Sequence, residues 1–390
     1  MDVEQAKRAA TDRIEAAREQ LIDVSHQIWS KPELCYEERF AHDLLCDALR
    51  DGGFEVEGGA YGLETAFVAH WRGGSGQAGD GSGGPGPTVA VLCEYDALPE
   101  IGHACGHNII AAAGLGAALG AAAVVDELGG RVVVLGTPAE EGGGGKVHMI
   151  DAGAFEGIDV SMMVHPADAD LNAFWAIANH EVHVEYRGVA AHAAAAPYKG
   201  KNALDAAVLG YVNVGALRQH IRATERVHGI ITHGGDKPNV VPHRASMQWY
   251  VRAADIDALE ALKVRVVDAL RAGALATGCE MSLTWPNPAY EDLLPDRALD
   301  ALYAANAAAL GRTVSPREDR PDFMGSTDMG NVSHLMPSLH PMIKAAPDGV
   351  AIHTPEFATH AGGDLGDRAV VDGALAMAHT AIDVWAGRGA

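Results

Sequence analysis

Apolar positions fall into two different rhythms along this chain. Between residues 88 and 166 come short, uninterrupted apolar runs, "TVAVLCEY", "RVVVLGTPAEE" and "VSMMVHP", of the kind that strands buried on both faces require. Between the first two lies "NIIAAAGLGAALGAAAVVDEL", an Ala-rich stretch that reads as one long helix. Strand–helix–strand order with apolar strands predicts an α/β layer built on a mostly parallel sheet. Upstream, residues 1–53 read as one or two amphipathic helices broken at "SKPELCYEE", and "ETAFVAHW" as a further strand. The stretch "GGSGQAGDGSGGPGP" (73–87) is too poor in apolar residues to bury much surface and reads as a flexible loop.

After about residue 178 the period changes. "HEVHVEYRG" alternates apolar and polar positions, the signature of a strand with one exposed face. A helix ("NALDAAVLGYVNVGALRQHI"), two strands ("VHGIITHGG" and "ASMQWYVRA") and a second helix ("IDALEALKVRVVDALRAGALATG") follow. Half-exposed strands with two helices predict a small α+β domain inserted into the first. The boundaries this implies are residues 1–177 and 292–390 for the larger α/β domain and 178–291 for the insertion. From about residue 292 the chain returns to helix and loop segments.

Charge narrows the partners. The chain of 390 residues carries 52 acidic against 29 basic side chains, a formal net charge of −23. This argues against nucleic acid or an anionic membrane as partner, since both call for clustered Lys and Arg. No apolar run is long enough to span a bilayer, and the charged N-terminus "MDVEQAKRAATDRIEAAREQL" carries no apolar signal-peptide core. Five widely spaced cysteines are an odd number and a poor disulfide framework, which suits a reducing cytoplasm.

Chemistry-bearing residues collect where the buried strands end, the edge at which open α/β sheets bind ligands. Glu94 and Asp96 follow the strand near 88–93, Glu140 and Glu141 the strand near 131–135, and His165 the strand near 160–164. A lone Glu or His at a strand end is usually structural, but three strand ends in succession are hard to attribute to packing. The segment "VLCEYDALPEIGHACGHN" adds Cys105 and His107, and a thiolate beside an imidazole suits zinc and related ions. A structural zinc clip would call for paired Cys-x-x-Cys knuckles and a redox dithiol for one such pair, and neither occurs. Mixed sulfur, nitrogen and oxygen donors from separate strand ends point to a catalytic metal site with open positions. In "PAEEGGGG" one carboxylate can ligate while its neighbour stays free to take a proton from water and pass it to a leaving amine. An isolated acidic pair more often caps a turn; here it flanks the candidate ligands.

The motifs "EYDALPEIGHACGHN", "TPAEEGGGGK", "MMVHP", "GVAAHAAAAPYKGKNALDA", "VHGIITHGGDKPNVVP", "GSTDMGNVS" and "HTPEF" occur in an order that resembles metallopeptidase family twenty. The likeness is closer to its aminobenzoyl-glutamate hydrolase and β-alanyl-dipeptidase-like branch, and it runs from about residue 20 to the C-terminus. It implies a zinc-exopeptidase-like catalytic domain that holds two divalent ions, Zn2+ or Mn2+. Cys105, His107, Glu141, His165 and His353 match the ligands, with Cys105 where a bridging Asp stands elsewhere in the family. Glu140 matches the general base and Asp96 the acid that orients a ligating group. The insertion resembles the family's lid and dimerisation domain, implying a homodimer. There His192, Asn239 and Arg252 match groups around the substrate, and His228 the histidine that steadies the oxyanion in the opposite subunit. Asn108 stands where many relatives have Asp, so any bond made there is neutral.

The reading that follows is a cytoplasmic, metal-dependent hydrolase of a C–N amide bond in a small dipeptide-like, N-acyl or arylamine substrate, with Glu140 as base. A second reading keeps the site but removes an aromatic amino or carbamoyl group, and a third is a non-catalytic metal-binding protein. The third predicts loss of a ligand or the base, and all are present.

Overall fold

A computed structural model describes residues 1–73, 86–321 and 323–388. The loop expected at 73–87 lies almost wholly outside the described residues. The chain divides into two compact units, Met1–Trp175 with Leu293–Ala390, and Ala176–Asp292.

The larger unit is built on a six-stranded sheet in the order Phe54–Gly58, Phe67–Trp71, Arg131–Gly136, Thr88–Cys93, Val160–Met162, Ser338–Leu339. The last four strands run parallel and the first two pair antiparallel, as the expected α/β class with a mainly parallel sheet requires. Every residue of Thr88–Cys93 is buried, which explains its unbroken apolar composition. Beside the sheet, helix His107–Ala122 is buried along its whole length. Its Ala and Gly side chains let the helices Val3–Ala16, Arg18–Ser30 and Asp364–Trp385 pack against it from several directions.

Three details depart from the sequence reading. Residues 1–53 form three helices, Val3–Ala16, Arg18–Ser30 and Arg39–Asp51, because the chain breaks again at Ala17, where ψ is 0°. The run "VSMMVHP" splits: Val160–Met162 joins the main sheet, while His165–Ala167 pairs with Met342–Lys344 in a separate two-stranded ladder. The sixth strand, Ser338–Leu339, falls in a region read as helix and loop. Two residues are too few to display a period.

The unit Ala176–Asp292 is a four-stranded antiparallel sheet ordered Glu280–Thr284, Ala178–Arg187, Arg244–Ala253, Arg226–His233. Alternate residues of Ala178–Arg187 and Arg244–Ala253 are buried beneath helices Ala203–Leu217 and Ile256–Thr277. Asn202 and Asp255 cap those helices by accepting first-turn N–H bonds. Strand Glu280–Thr284 was not expected. Among the described residues no helix is long and apolar enough to cross a membrane.

Candidate metal centre

Four adjacent parallel strands deliver the site. The chain leaves Arg131–Gly136 toward Glu140 and Glu141, Thr88–Cys93 toward Glu94 and Asp96, Val160–Met162 toward His165, and Ser338–Leu339 toward His340. Cys105 and His107 arrive at the start of helix His107–Ala122. Gly106 between them has φ +80°, and a Cβ there would stand 2.5 Å from Pro166 Cγ, so only glycine lets this turn lie against the segment carrying His165. Gly145 answers a similar demand: its Cα side faces the Pro138 carbonyl so closely that a Cβ would lie 1.9 Å from the oxygen. The N–H groups of Gly143, Gly144 and Gly145 all turn back to the Ala139 carbonyl.

The five ligand candidates form overlapping groups. Cys105, His107 and His165 present donor atoms within 4.8 Å of one another, as do Cys105, Glu141 and His353, so the thiol is common to both. Glu140 joins His107 and Glu141 in a third group. His165 Nε2 lies 3.4 Å from Cys105 Sγ, and His353 Nε2 lies 3.4 Å from Glu141 Oε1. Orientation is fixed from behind. Asp96 Oδ1 meets His107 Nδ1 at 2.9 Å and Asp96 Oδ2 accepts the Glu141 N–H at 2.9 Å. The Pro166 carbonyl meets His165 Nδ1 at 2.9 Å. In both rings Nδ1 is engaged and Nε2 is the nitrogen turned toward the other donors, the arrangement a ligating histidine needs. His107 is fully buried while the His353 side chain is half exposed, so the site opens to solvent on the His353 side.

Whether cations fit can be judged from atoms left bare. His107 Nε2 and Glu141 Oε1 are buried with no hydrogen-bond partner among the described residues, a costly state unless something else satisfies them. Burial, together with Glu94, Glu141 and Asp328 nearby, raises the Glu140 carboxyl well above its usual range. Burial and Glu141 likewise push up the Cys105 thiol. Burial opposes the Asp96 carboxylate, yet His107 holds it down to about 2. Burial and the neighbouring His340 and His107 press His165 toward its neutral form. A crowded, dry set of carboxyl, thiol and imidazole donors is what divalent ions relieve.

Several residues close to this cluster were not singled out in the sequence. Lys146 is fully buried and donates to Glu94 Oε1 at 2.5 Å and Asp328 Oδ1 at 2.6 Å. Glu38 accepts from the Ala139 N–H and the Thr65 hydroxyl, both at 2.9 Å. It thereby holds Ala139, which has a φ of +58°, just before the two glutamates. His340 is buried, stacks on His165 at 5.6 Å between centroids and packs against Phe174. Its burial lowers its pKa to about 4. A lone Lys at the end of a glycine run was the one signal that could have drawn attention to this network. Asn108 donates to Ser25 and to the Ala361 carbonyl, each at 2.9 Å, and so links buried helices.

His192, His228, Asn239 and Arg252 lie in the unit Ala176–Asp292 and fall into two local pairs. His192 Nδ1 accepts from the Ala194 and Ala195 N–H groups, and the neighbouring Ala193 N–H donates to the Asn239 carbonyl at 3.1 Å. His228, on strand Arg226–His233, sits opposite Tyr250 and stacks on it at 5.8 Å. The Arg252 guanidinium lies 5.5 Å from the same ring.

Residues 90–381 match the model of the peptidase family M20/M25/M40, and the chain belongs to that family. It is 42% identical to the Xaa-Arg dipeptidase of Mus musculus over 98% of this chain and 90% of that protein. It is 33% identical to a p-aminobenzoyl-glutamate hydrolase subunit of Escherichia coli over 76% of this chain and 64% of that one. Among solved structures, the YXEP protein of Bacillus subtilis, a dinuclear metal binding peptidase, superposes with TM-score 0.71. It is 20% identical, covering 95% of this chain and 99% of that one. The aminobenzoyl-glutamate utilization protein of Klebsiella pneumoniae gives TM-score 0.72 at 19% identity, covering 95% and 97%. The protein is therefore a metal-dependent hydrolase acting on C–N amide bonds.

Proposed function

We propose that this enzyme cleaves dipeptide-like substrates, with a basic C-terminal residue as the preferred leaving half. The observation that carries the hydrolytic step is Glu140, a buried carboxylate grouped with His107 and Glu141, and the substrate preference is taken from the relative described above. Cys105, His107, Glu141, His165 and His353 would hold two divalent ions, zinc or manganese; when bound, these supply Lewis-acid polarisation of the scissile carbonyl and an acidified water. Glu140 takes the water's proton and returns it to the leaving nitrogen. Asp96 keeps His107 and the Glu141 backbone in register. Identity to the Xaa-Arg dipeptidase along nearly the whole chain supports a dipeptide substrate, and a net charge of −23 favours a cationic one. His192 is assigned to substrate binding, Asn239 and Arg252 to the substrate's carboxylate side and His228 to the oxyanion, with Arg suited to a bidentate carboxylate contact.

The unit Ala176–Asp292 is assigned to lid and dimer contact. Strand Arg226–His233 is a sheet edge and exposes Ile230 and Ile231 beside Val208 and Val212 of helix Ala203–Leu217. An apolar edge of that kind calls for a partner strand, and a second copy of the chain supplies one. The five thiols, none in a disulfide, support a cytoplasmic setting.

The test is a substrate panel run with elemental analysis of the purified protein. Two divalent ions per chain and faster turnover of Xaa-Arg dipeptides than of acidic dipeptides, N-acyl amino acids or aminobenzoyl-glutamate are expected. Glu140→Ala should keep its metal and lose about 10²–10⁴-fold in turnover, while His107→Ala loses both. Full activity in either variant or in chelator-stripped enzyme overturns the proposal. Ammonia release without a carboxylic acid product assigns the same site to deamination.

A further inference from the structure

The reaction as derived leaves Glu94, Lys146 and Asp328 without a role, although all three are fully buried. Their geometry is specific. Lys146 Nζ bonds Glu94 Oε1 and Asp328 Oδ1, and Asp328 Oδ2 accepts the Lys146 N–H at 2.9 Å. Glu94, Glu140 and Asp328 also bring carboxylate oxygens within 4.8 Å of one another, but the Lys146 ammonium already serves as the cation of that cluster. Only one of Glu94's oxygens is used there. The other, Oε2, is buried with no hydrogen-bond partner among the described residues.

That oxygen lies 3.5 Å from His107 Nε2. His107 Nδ1 is taken by Asp96, and its Nε2 too is buried without a hydrogen-bond partner among the described residues. Each of the two atoms carries an unmet desolvation cost. A cation between them removes both penalties. Metal–nitrogen and metal–oxygen bonds of about 2.1 Å at a near-tetrahedral angle place their donor atoms about 3.4 Å apart, which is the spacing found here.

We propose that Glu94 Oε2 is a sixth protein donor, an additional anionic ligand of the divalent ion held by His107, with Lys146 and Asp328 as the positioning residues that aim it. This rests on the metal assignment above. The buried lysine fixes the carboxylate's rotation by holding its far oxygen, so the near one needs no reorganisation when the ion enters. It also adds a positive charge beside three carboxylates, so the extra anionic ligand does not leave the pocket overcharged.

Wild-type and Glu94→Gln proteins, each loaded with Co2+, are to be compared by chelator competition and by visible absorption. The expected result is at least a tenfold weaker affinity for one of the two equivalents, with the other unchanged and the absorption of the weakened one altered. Glutamine keeps the side-chain shape and an acceptor for Lys146. Two equivalents bound with wild-type affinity and an unchanged spectrum overturn the proposal. A crystal structure of the wild-type protein with Zn2+ decides the matter independently of how the variant folds: a Glu94 oxygen about 2.2 Å from an ion supports it, and none within about 3 Å overturns it. If the wild-type protein itself binds no divalent ion, the metal assignment fails first, a result distinct from a Glu94-independent site.

Discussion

The histidines around Cys105 differ in which ring nitrogen is already engaged. His107 gives Nδ1 to a carboxylate and His165 gives Nδ1 to a backbone carbonyl, so the first is the more basic donor. Asp96→Asn removes the negative charge behind His107 and one anionic acceptor for the Glu141 N–H. It should weaken metal binding 10–100-fold with the fold intact, checked by chelator competition and circular dichroism. Gly106→Ala combines a left-handed φ with a clash at Pro166. It should cost at least about 1–3 kcal/mol of stability and weaken metal retention together, read by denaturant unfolding and elemental analysis. Cys105, His107, Glu140, Glu141 and His165 stood out as candidates because each sits at a strand end or in a motif whose ligand chemistry is local, whereas His353 was reached only through the family resemblance. Lys146 and Asp328 were not legible: they are 182 positions apart, and nothing near either one announces an ion pair.

Helices and strands carry their own electrostatics. Helix Arg297–Ala309 buries Asp300 one turn beyond its cap Asp296, and burial with that neighbouring carboxylate raises the Asp300 pKa to about 7. A raised folded value stabilises the protein most at pH values below the unfolded one of about 3.8, and the contribution disappears as pH rises through about 7. Asp300→Asn should therefore gain on the wild-type protein between about pH 4 and pH 7, reaching about 1–2 kcal/mol after screening is allowed for. Thermal melts across that range check it; parallel curves would count against it. Long elements were readable for the opposite reason. Thr88–Cys93 and His107–Ala122 are buried throughout and must be apolar or small at every position. The strand Ser338–Leu339 is defined only by its partner Val160–Met162, so its existence is a tertiary fact, and His340 beyond it went unnoticed with it.

Assembly is the property the surface of Ala176–Asp292 bears on. Ile230 is 60% exposed and so is Val212, an arrangement a lone chain would be expected to avoid. The double substitution Ile230→Asp with Val212→Asp should convert a dimer to monomers in light scattering. If His228 acts in the opposite subunit, turnover should fall by tenfold or more while bound metal stays at two equivalents. Monomers with undiminished turnover would exclude a role for His228 across a subunit interface.

The ligand candidates also differ in when they come into being. Cys105, His107, Glu141 and His165 precede the inserted unit, while His353 and the strand Ser338–Leu339 follow it. On a ribosome, a chain that has reached residue 292 holds a complete second unit and a sheet still lacking its last strand. Its thiol and two imidazoles are already made, but not the histidine that faces Glu141. Secure capture of both proposed ions must then wait until residue 353 has been synthesised. On the proposed ligand set, loading with metal is in effect a test that translation has passed the inserted unit.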